Sequence, residues 1–341
     1  MLKVIQLGIG GMGNVWLQTV RNSSEVEHAA FVETNPETAQ QQAGTYGLDP
    51  ALIYRTLPEA LAAVQADAVL DITPPQFHEQ MSITALEAGL HVLSEKPLAD
   101  TRAAAQAIVR KADDTGLVHM VAQNYRYRVP VMTLKQVLDS GELGRIGAVQ
   151  VAFYRGPHPG GFREVMAYPL IIDMAIHHFD LMRFLLEREP VEIYGKSWNP
   201  PWSWYAGDAS ATVALEFADG VVVSYSGSWC SQGKQLSWNG DWRIECERGV
   251  IWMLDDEVYL QRVRADLVPL GFTFMQIDND PPEQITPVTP AYTEQGYLLH
   301  TFYEAITQGT PPPTRCQDNI HSLNIVFDTI QAFESGAPVK R

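Results

Sequence analysis

Gly8, Gly10 and Gly13 stand at the spacing G-x-G-x-x-G directly after the apolar run Val4-Ile5-Gln6-Leu7, and Glu33 follows the last of them by 20 residues. That combination suits a dinucleotide. The first glycine permits a tight strand-to-helix turn, the second lets backbone approach a pyrophosphate, and the third lets helix pack on strand. The loop Gly8-Ile9-Gly10-Gly11-Met12-Gly13 would then hold the anion at a helix N-terminus. Glu33 would accept hydrogen bonds from the ribose hydroxyls and repel a 2′-phosphate, so NAD is expected over NADP. A glycine triplet alone marks only a tight turn. Here the helix Met12 to Val20 follows it, and a second apolar strand, Ala29 to Val32, delivers Glu33.

Two more clusters sit at strand ends. After the strand Ala68 to Ile72 come Thr73-Pro74-Pro75, with His78 in the first turn of the next helix; after His91 to Leu93 come Ser94-Glu95-Lys96-Pro97. In doubly wound sheets ligands bind at that edge, so Thr73, Pro74, His78, Glu95 and Lys96 are expected to line the cofactor, with Lys96 reaching whatever lies beside the nicotinamide. A Lys-Pro bond that is cis would aim the lysine. Solvated charges before a helix would read the same way. Further on, Asp173 and His177 are four positions apart on a helix from about Leu170 to Leu186, which puts both on one face. A structural pair or two metal ligands share that spacing, but no third and fourth ligand stand at a convincing distance, so no metal is expected. Tyr154, Arg155, His158, Arg163 and Tyr168 precede this helix; Arg155 and Tyr168 are taken as substrate contacts for hydroxyl recognition.

The elements that position these residues fall into two textures. Strand and helix alternate up to the strand Val118 to Ala122, the mark of a parallel, doubly wound α/β sheet, so a dinucleotide-binding Rossmann domain is expected over 1–125. Residues 126–341 read as an α+β domain for substrate binding and oligomerisation. β segments at Ile146 to Tyr154, Val191 to Ser197, Ser210 to Phe217, Val221 to Ser228, Trp242 to Cys246, Val250 to Leu254 and Val258 to Val263 suggest a large, mostly antiparallel open sheet. Helices near Glu294 to Thr307 and Gln317 to Glu334 close the chain and are expected to pack back on the first domain.

Bulk properties narrow the function. With 46% apolar and 19% charged residues among 341, the chain is an ordinary globular composition. A formal charge of −16 repels phosphate backbones and anionic lipid, so neither nucleic acid nor membrane is expected as a partner. Cys230, Cys246 and Cys316 are widely spaced and odd in number, which argues against a disulfide framework or a zinc site. No apolar leader and no run of about 20 apolar residues is evident, so a cytoplasmic location is expected.

The opening glycine motif, the stretch Ala85-Leu86-Glu87-Ala88-Gly89-Leu90-His91-Val92-Leu93-Ser94-Glu95-Lys96-Pro97-Leu98-Ala99 and the later D-x-x-x-H resemble the Gfo/Idh/MocA oxidoreductases, in order and spacing over nearly the whole chain. The resemblance implies that Lys96, Asp173 and His177 line the substrate site and carry the catalysis, that Asn124 touches cofactor and that Arg126 touches substrate. It also implies dimers or tetramers. Where many members have a glycine-rich stretch before the aspartate, this chain has Tyr168-Pro169-Leu170-Ile171-Ile172, which reshapes the pocket.

The expected reaction is hydride transfer between NAD and a secondary alcohol of a sugar, inositol or related polyol, with His177 as base, Lys96 stabilising the developing alkoxide and Asp173 orienting the histidine or a neighbouring hydroxyl. A lyase or glycoside hydrolase with transient oxidation, or a non-catalytic sugar or nucleotide sensor, are the alternatives. The aromatic stretch Trp198 to Tyr205 fits a sugar platform or a subunit contact equally well. The tryptophans of the second domain, Trp198, Trp202, Trp204, Trp229, Trp238 and Trp242, suggest a surface covered by another subunit.

Overall fold

The computed structural model describes residues 1–263 and 280–341. The chain divides into two compact units, Met1–Asn124 with Tyr292–Asn324, and Tyr125–Ala291 with Ile325–Arg341.

The first unit alternates β1 (Leu2–Leu7), α1 (Gly13–Arg21), β2 (Val26–Val32), α2 (Pro36–Tyr46), β3 (Ile53–Tyr54), α3 (Leu57–Ala63), β4 (Ala68–Asp71), α4 (His78–Glu87), β5 (His91–Ser94), α5 (Arg102–Thr115) and β6 (His119–Val121). The strands pair in parallel in the order β3-β2-β1-β4-β5-β6. The order reverses beside β1, which defines the ligand-binding crevice of a Rossmann sheet. Strands β4 and β6 are buried along their whole length, as helices on both faces require. Local chemistry sets the helix ends. Asn35 caps α2 by accepting from the backbone N–H of Glu37 and Thr38, Gly47 ends it at φ 60°, and Thr56 and Glu59 close a capping box on α3.

In the second unit come α6 (Val129–Asp139), β7 (Ile146–Tyr154), a turn at Leu170–Ala175, α7 (Ile176–Leu186), β8 (Pro190–Trp198), β9 (Ser210–Phe217), β10 (Val222–Ser228), β11 (Asp241–Cys246), β12 (Gly249–Leu254), β13 (Glu257–Arg262) and β14 (Glu283–Gln284). Helix α8 (Glu294–Gln308) belongs to the first unit and packs on α1. Helix α9 (Cys316–Ser335) starts in the first unit and ends in the second, where β15 (Val339–Lys340) follows.

The described strands of the second unit form one mixed sheet, β14-β13-β12-β11-β7-β10-β9-β8-β15. Every pairing in it is antiparallel except β7 with β10. Burial alternates along β9 and β10, so one face carries the core through Val151, Phe153, Val213, Leu215, Val223 and Tyr225. The opposite face shows Tyr154, Tyr194, Trp198, Val222 and Leu254, each more than a third exposed.

Two expectations need correction. The helix expected from Leu170 is not α-helical in its first turn: Leu170–Ala175 is a π turn, and α-helix begins only at Ile176. A π turn holds one extra residue against i→i+5 bonding. The tryptophan surface is also smaller than composition suggested. Trp229 and Trp242 are 3% and 2% exposed: the register of β11 turns Trp242 to the core, and Trp229, just past β10, stacks on Tyr205.

Candidate active site

The glycine loop of the first unit has the geometry its spacing predicts. Gly8 lies at φ 83°, and a Cβ there would stand 2.9 Å from the Ile72 carbonyl oxygen; one on Gly13 would stand 2.4 Å from the Gly8 carbonyl oxygen. Side chains are therefore excluded at both positions. Beside Gly10 only Thr38 Cγ2 comes within 4 Å, and Gly11 has open space, so the middle of the loop is accessible to a ligand. Met12, at the N-cap of α1, is 40% exposed. Gln6 clasps both ends of the loop. It is fully buried, its Nε2 donates to the carbonyls of Gly8 (3.0 Å) and Gly13 (2.9 Å), and its Oε1 accepts from His28 Nε2 at 2.9 Å. Glu33 ends β2 with its carboxylate fixed by two backbone donors, Ile9 N–H (3.3 Å) and Asn35 N–H (3.0 Å). A loop open at its centre, a helix N-terminus behind it and a carboxylate at the end of the second strand fit a dinucleotide.

The two strand-end clusters join this loop. Asp71, fully buried at the end of β4, accepts from the Thr73 backbone N–H (3.1 Å) and hydroxyl (2.6 Å), and its other oxygen has no hydrogen-bond partner among the described residues. Pro74 opens the short turn that leads into α4. His78 is buried, with Nδ1 2.8 Å from the Pro97 carbonyl oxygen and Nε2 2.8 Å from that of Thr73, so it braces one loop against the other. The Lys96–Pro97 bond is cis. Glu95 points inward: it accepts from Trp16 Nε1 of α1 at 2.8 Å and from the Lys96 backbone N–H at 3.1 Å. Burial pushes the Glu95 carboxyl above its ordinary range, against the Trp16 hydrogen bond and the Lys96 charge. Asn124 donates to Glu294 of α8 at 3.4 Å.

In the second unit, Asp173 lies in the π turn and His177 in the first turn of α7. Asp173 Oδ2 accepts from Arg163 Nε at 2.9 Å; the carboxylate is mostly buried and the guanidinium more than a third exposed over the Phe162 ring. His177 is 4% exposed and its ring stacks on Tyr125, centroids 3.9 Å apart and planes 12° apart. Arg126 is buried and bound through Nε and Nη2 to the two oxygens of Asp180, both at 2.6 Å. It thereby fastens the segment before α6 to α7. Arg155 donates to the Leu236 carbonyl and lies 4.1 Å from the Trp238 ring centre, while Tyr168 packs on Phe333 of α9. In the aromatic loop, Trp204 stacks on His158 at 3.8 Å, and Trp204 Nε1 and the Tyr205 hydroxyl both donate to the Pro157 carbonyl at 2.9 Å. Trp202 remains 54% exposed. Among the described residues no group of three or more His, Cys, Asp or Glu could hold a metal.

Gln6, Trp16 and Asp71 carry site geometry that motif reading passed over. Each had a signal: a lone polar residue in an apolar strand for Gln6 and Asp71, and an indole on the inner face of the first helix for Trp16.

A Rossmann unit with this loop and carboxylate, joined in one chain to a unit built on a large mixed sheet, defines an NAD-binding oxidoreductase. The chain belongs to the Gfo/Idh/MocA family: residues 2–123 match the model described as an oxidoreductase family with NAD-binding Rossmann fold, and residues 131–252 match the GFO/IDH/MocA C-terminal domain. It is 29% identical to an inositol 2-dehydrogenase of Rhizobium meliloti over 243 residues, 70% of this chain and 71% of that one. The fold is shared with an oxidoreductase from Agrobacterium radiobacter solved with NAD+, L-tartaric acid and magnesium (TM-score 0.87, 18% identity, 99% and 98% of the two chains covered). It is shared too with the WlbA dehydrogenase from Bordetella pertussis solved with NADH and UDP-GlcNAcA (TM-score 0.81, 18% identity, 100% and 98% covered). Among the described residues no helix is long and apolar enough to cross a membrane.

Proposed function

We propose that this protein is an NAD-dependent dehydrogenase that oxidises a secondary alcohol of a sugar, inositol or related polyol. The observation that carries the reading is the buried imidazole of His177, one turn beyond an arginine-paired Asp173, in a chain whose other unit holds the dinucleotide loop. When bound, the nicotinamide supplies the acceptor for the hydride leaving carbon. His177 takes the hydroxyl proton, and Lys96 hydrogen-bonds the same oxygen and stabilises its developing negative charge. Asp173, its charge balanced by Arg163, orients the imidazole or a neighbouring hydroxyl. Arg126 and His78 serve this site as braces, since Arg126 is engaged by Asp180 and His78 bridges two loop carbonyls.

Glu33 supports NAD over NADP through repulsion of a 2′-phosphate. The half-exposed aromatic and aliphatic side chains on the open sheet face, Tyr154, Tyr194, Trp198, Val222 and Leu254, support a homodimer or homotetramer that covers them. Three free thiols, two of them buried, are in keeping with a reducing cytoplasm. Incubation with NAD+ and a panel of polyols, aldoses and sugar acids, followed by NADH absorbance, tests the reading; sugar conversion without NADH accumulation would favour a transient-oxidation lyase instead.

A further inference from the structure

The Tyr125 ring has two neighbours at stacking distance. His177 lies parallel to it at 3.9 Å between centroids, and the Arg128 guanidinium carbon lies 3.5 Å from the same ring centre. Two groups that close to one centroid cannot share a face without overlapping, so they cover opposite faces. Arg128, Tyr125 and His177 therefore form a three-layer stack. Both ends of it are anchored. Arg128 donates through Nη1 to Asn239 at 3.3 Å, and Asn239 in turn donates to Asp256 at 2.8 Å. The buried Arg126–Asp180 pair ties the residue after Tyr125 to α7, three positions beyond His177. The Tyr125 hydroxyl is directed at Met174 Sδ, 4.0 Å away, in the preceding π turn.

We infer that Tyr125 and Arg128 are positioning residues for His177: the phenol ring fixes the plane of the imidazole, and the guanidinium behind it disfavours a second positive charge, keeping the ring neutral and ready to accept a proton. The inference rests on the reading of His177 as the base. A bare phenol face would attract an imidazolium, whereas a fixed cation on the far face opposes that attraction. The other charged or titratable groups on these elements are Tyr127, Asp173 with its partner Arg163, His178, Asp180 with its partner Arg126, and Arg183 with its partner Glu189, while Tyr225 packs on His178 from β10. The charge of Arg128 is felt on this helix. The neighbouring His178, edge-on to Tyr125, has its midpoint pushed down to about 4, chiefly by burial and further by Arg128, against the pull of its hydrogen bond to the Trp238 carbonyl.

The test is a histidine NMR titration of the whole protein, with His177→Gln identifying the His177 resonance, run on wild type, Arg128→Met, Tyr125→Phe and Tyr125→Leu without substrate. Arg128→Met should raise the His177 midpoint by about one pH unit, and Tyr125→Phe should leave it in place because the ring is retained. Tyr125→Leu should broaden or split the His177 signal and lower kcat roughly tenfold to a hundredfold with little change in KM, with Tyr125→Phe restoring kcat. An unmoved midpoint in Arg128→Met overturns the electrostatic role, and an unchanged kcat in a folded Tyr125→Leu overturns the steric one. Should Tyr125→Leu fail to fold, Tyr125→Met, which fills much of the space without a planar face, is read by the same two measurements with the same expected loss of kcat. A shifted midpoint in a protein that oxidises no polyol would uphold the stack and remove the dehydrogenase reading, so the two failures are told apart.

Discussion

Trp16 Nε1 donates to Glu95 Oε1 across 2.8 Å, linking the helix that follows the glycine loop to the residue before Lys96. Trp16 is fully buried, and Glu95 has only a tenth or less of its surface exposed. The lysine thus sits on a backbone whose neighbour is locked to the dinucleotide loop, so loop and lysine share one rigid frame. Trp16→Phe removes the donor and leaves a buried oxygen unsatisfied. It should lower unfolding free energy by about 1–3 kcal/mol in urea titrations.

The same carboxyl makes a pH prediction. Burial holds Glu95 above its ordinary midpoint, so the folded state binds more protons than the unfolded one between the two values. Its contribution to stability is present below the ordinary carboxyl value of about 4.3 and is lost as pH rises through the raised folded value. The stability of wild type minus that of Glu95→Gln should therefore fall as pH is raised from about 4 toward neutrality. A difference that stays flat over that range would count against a buried, proton-holding Glu95.

His178 has the opposite sign. Its midpoint is pushed down to about 4 from an ordinary 6.5, so the folded state binds fewer protons over that interval. Stability from this residue is present above about 6.5 and is lost as pH falls toward 4, by roughly 3 kcal/mol at the limit. His178→Gln should flatten the acid limb of the stability curve, and an unaltered limb would refute the assignment.

Arg163 balances the mostly buried carboxylate of Asp173. Arg163→Met should lower kcat/KM on the true substrate at least about tenfold, ~1.4 kcal/mol, while NADH affinity stays near wild type. Unchanged kcat/KM would take Arg163 out of the site.

Glu33 is held by the backbone N–H groups of Ile9 and Asn35. Wild type should favour NAD over NADP by at least about tenfold in kcat/KM, and Glu33→Ala should narrow the gap. Equal use of both cofactors by wild type would exclude this role.

Much of this was legible in the chain because it is local. The glycine loop and the strand delivering Glu33 depend on neighbours a few residues apart, and periodicity reports them directly; the four-residue spacing of Asp173 and His177 was legible too, but the π turn that holds Asp173 was not. What escaped depends on distant partners. Trp16 meets Glu95 79 positions later, and Arg126 meets Asp180 54 positions later, so the first linkage was invisible and Arg126 read as a substrate contact when its guanidinium is engaged in the core. Amphipathic patterning marks the two closing helices, and of these, both expected on the first domain, 294–308 belongs to the first unit while 316–335 ends in the second. Nor does aromatic content say which face an indole occupies: strand register turns Trp242 inward, while Trp198 at the end of β8 stays 44% exposed.

The role of His177 as the base that takes the hydroxyl proton is decided by steady-state oxidation of the identified polyol by His177→Ala, alongside NADH binding by the same variant. In that variant kcat should be lower by about 10² to 10⁴, the usual contribution of a positioned proton acceptor, with NADH affinity changed less than roughly tenfold. Full turnover by a folded His177→Ala variant would contradict it and leave Lys96 as the candidate base.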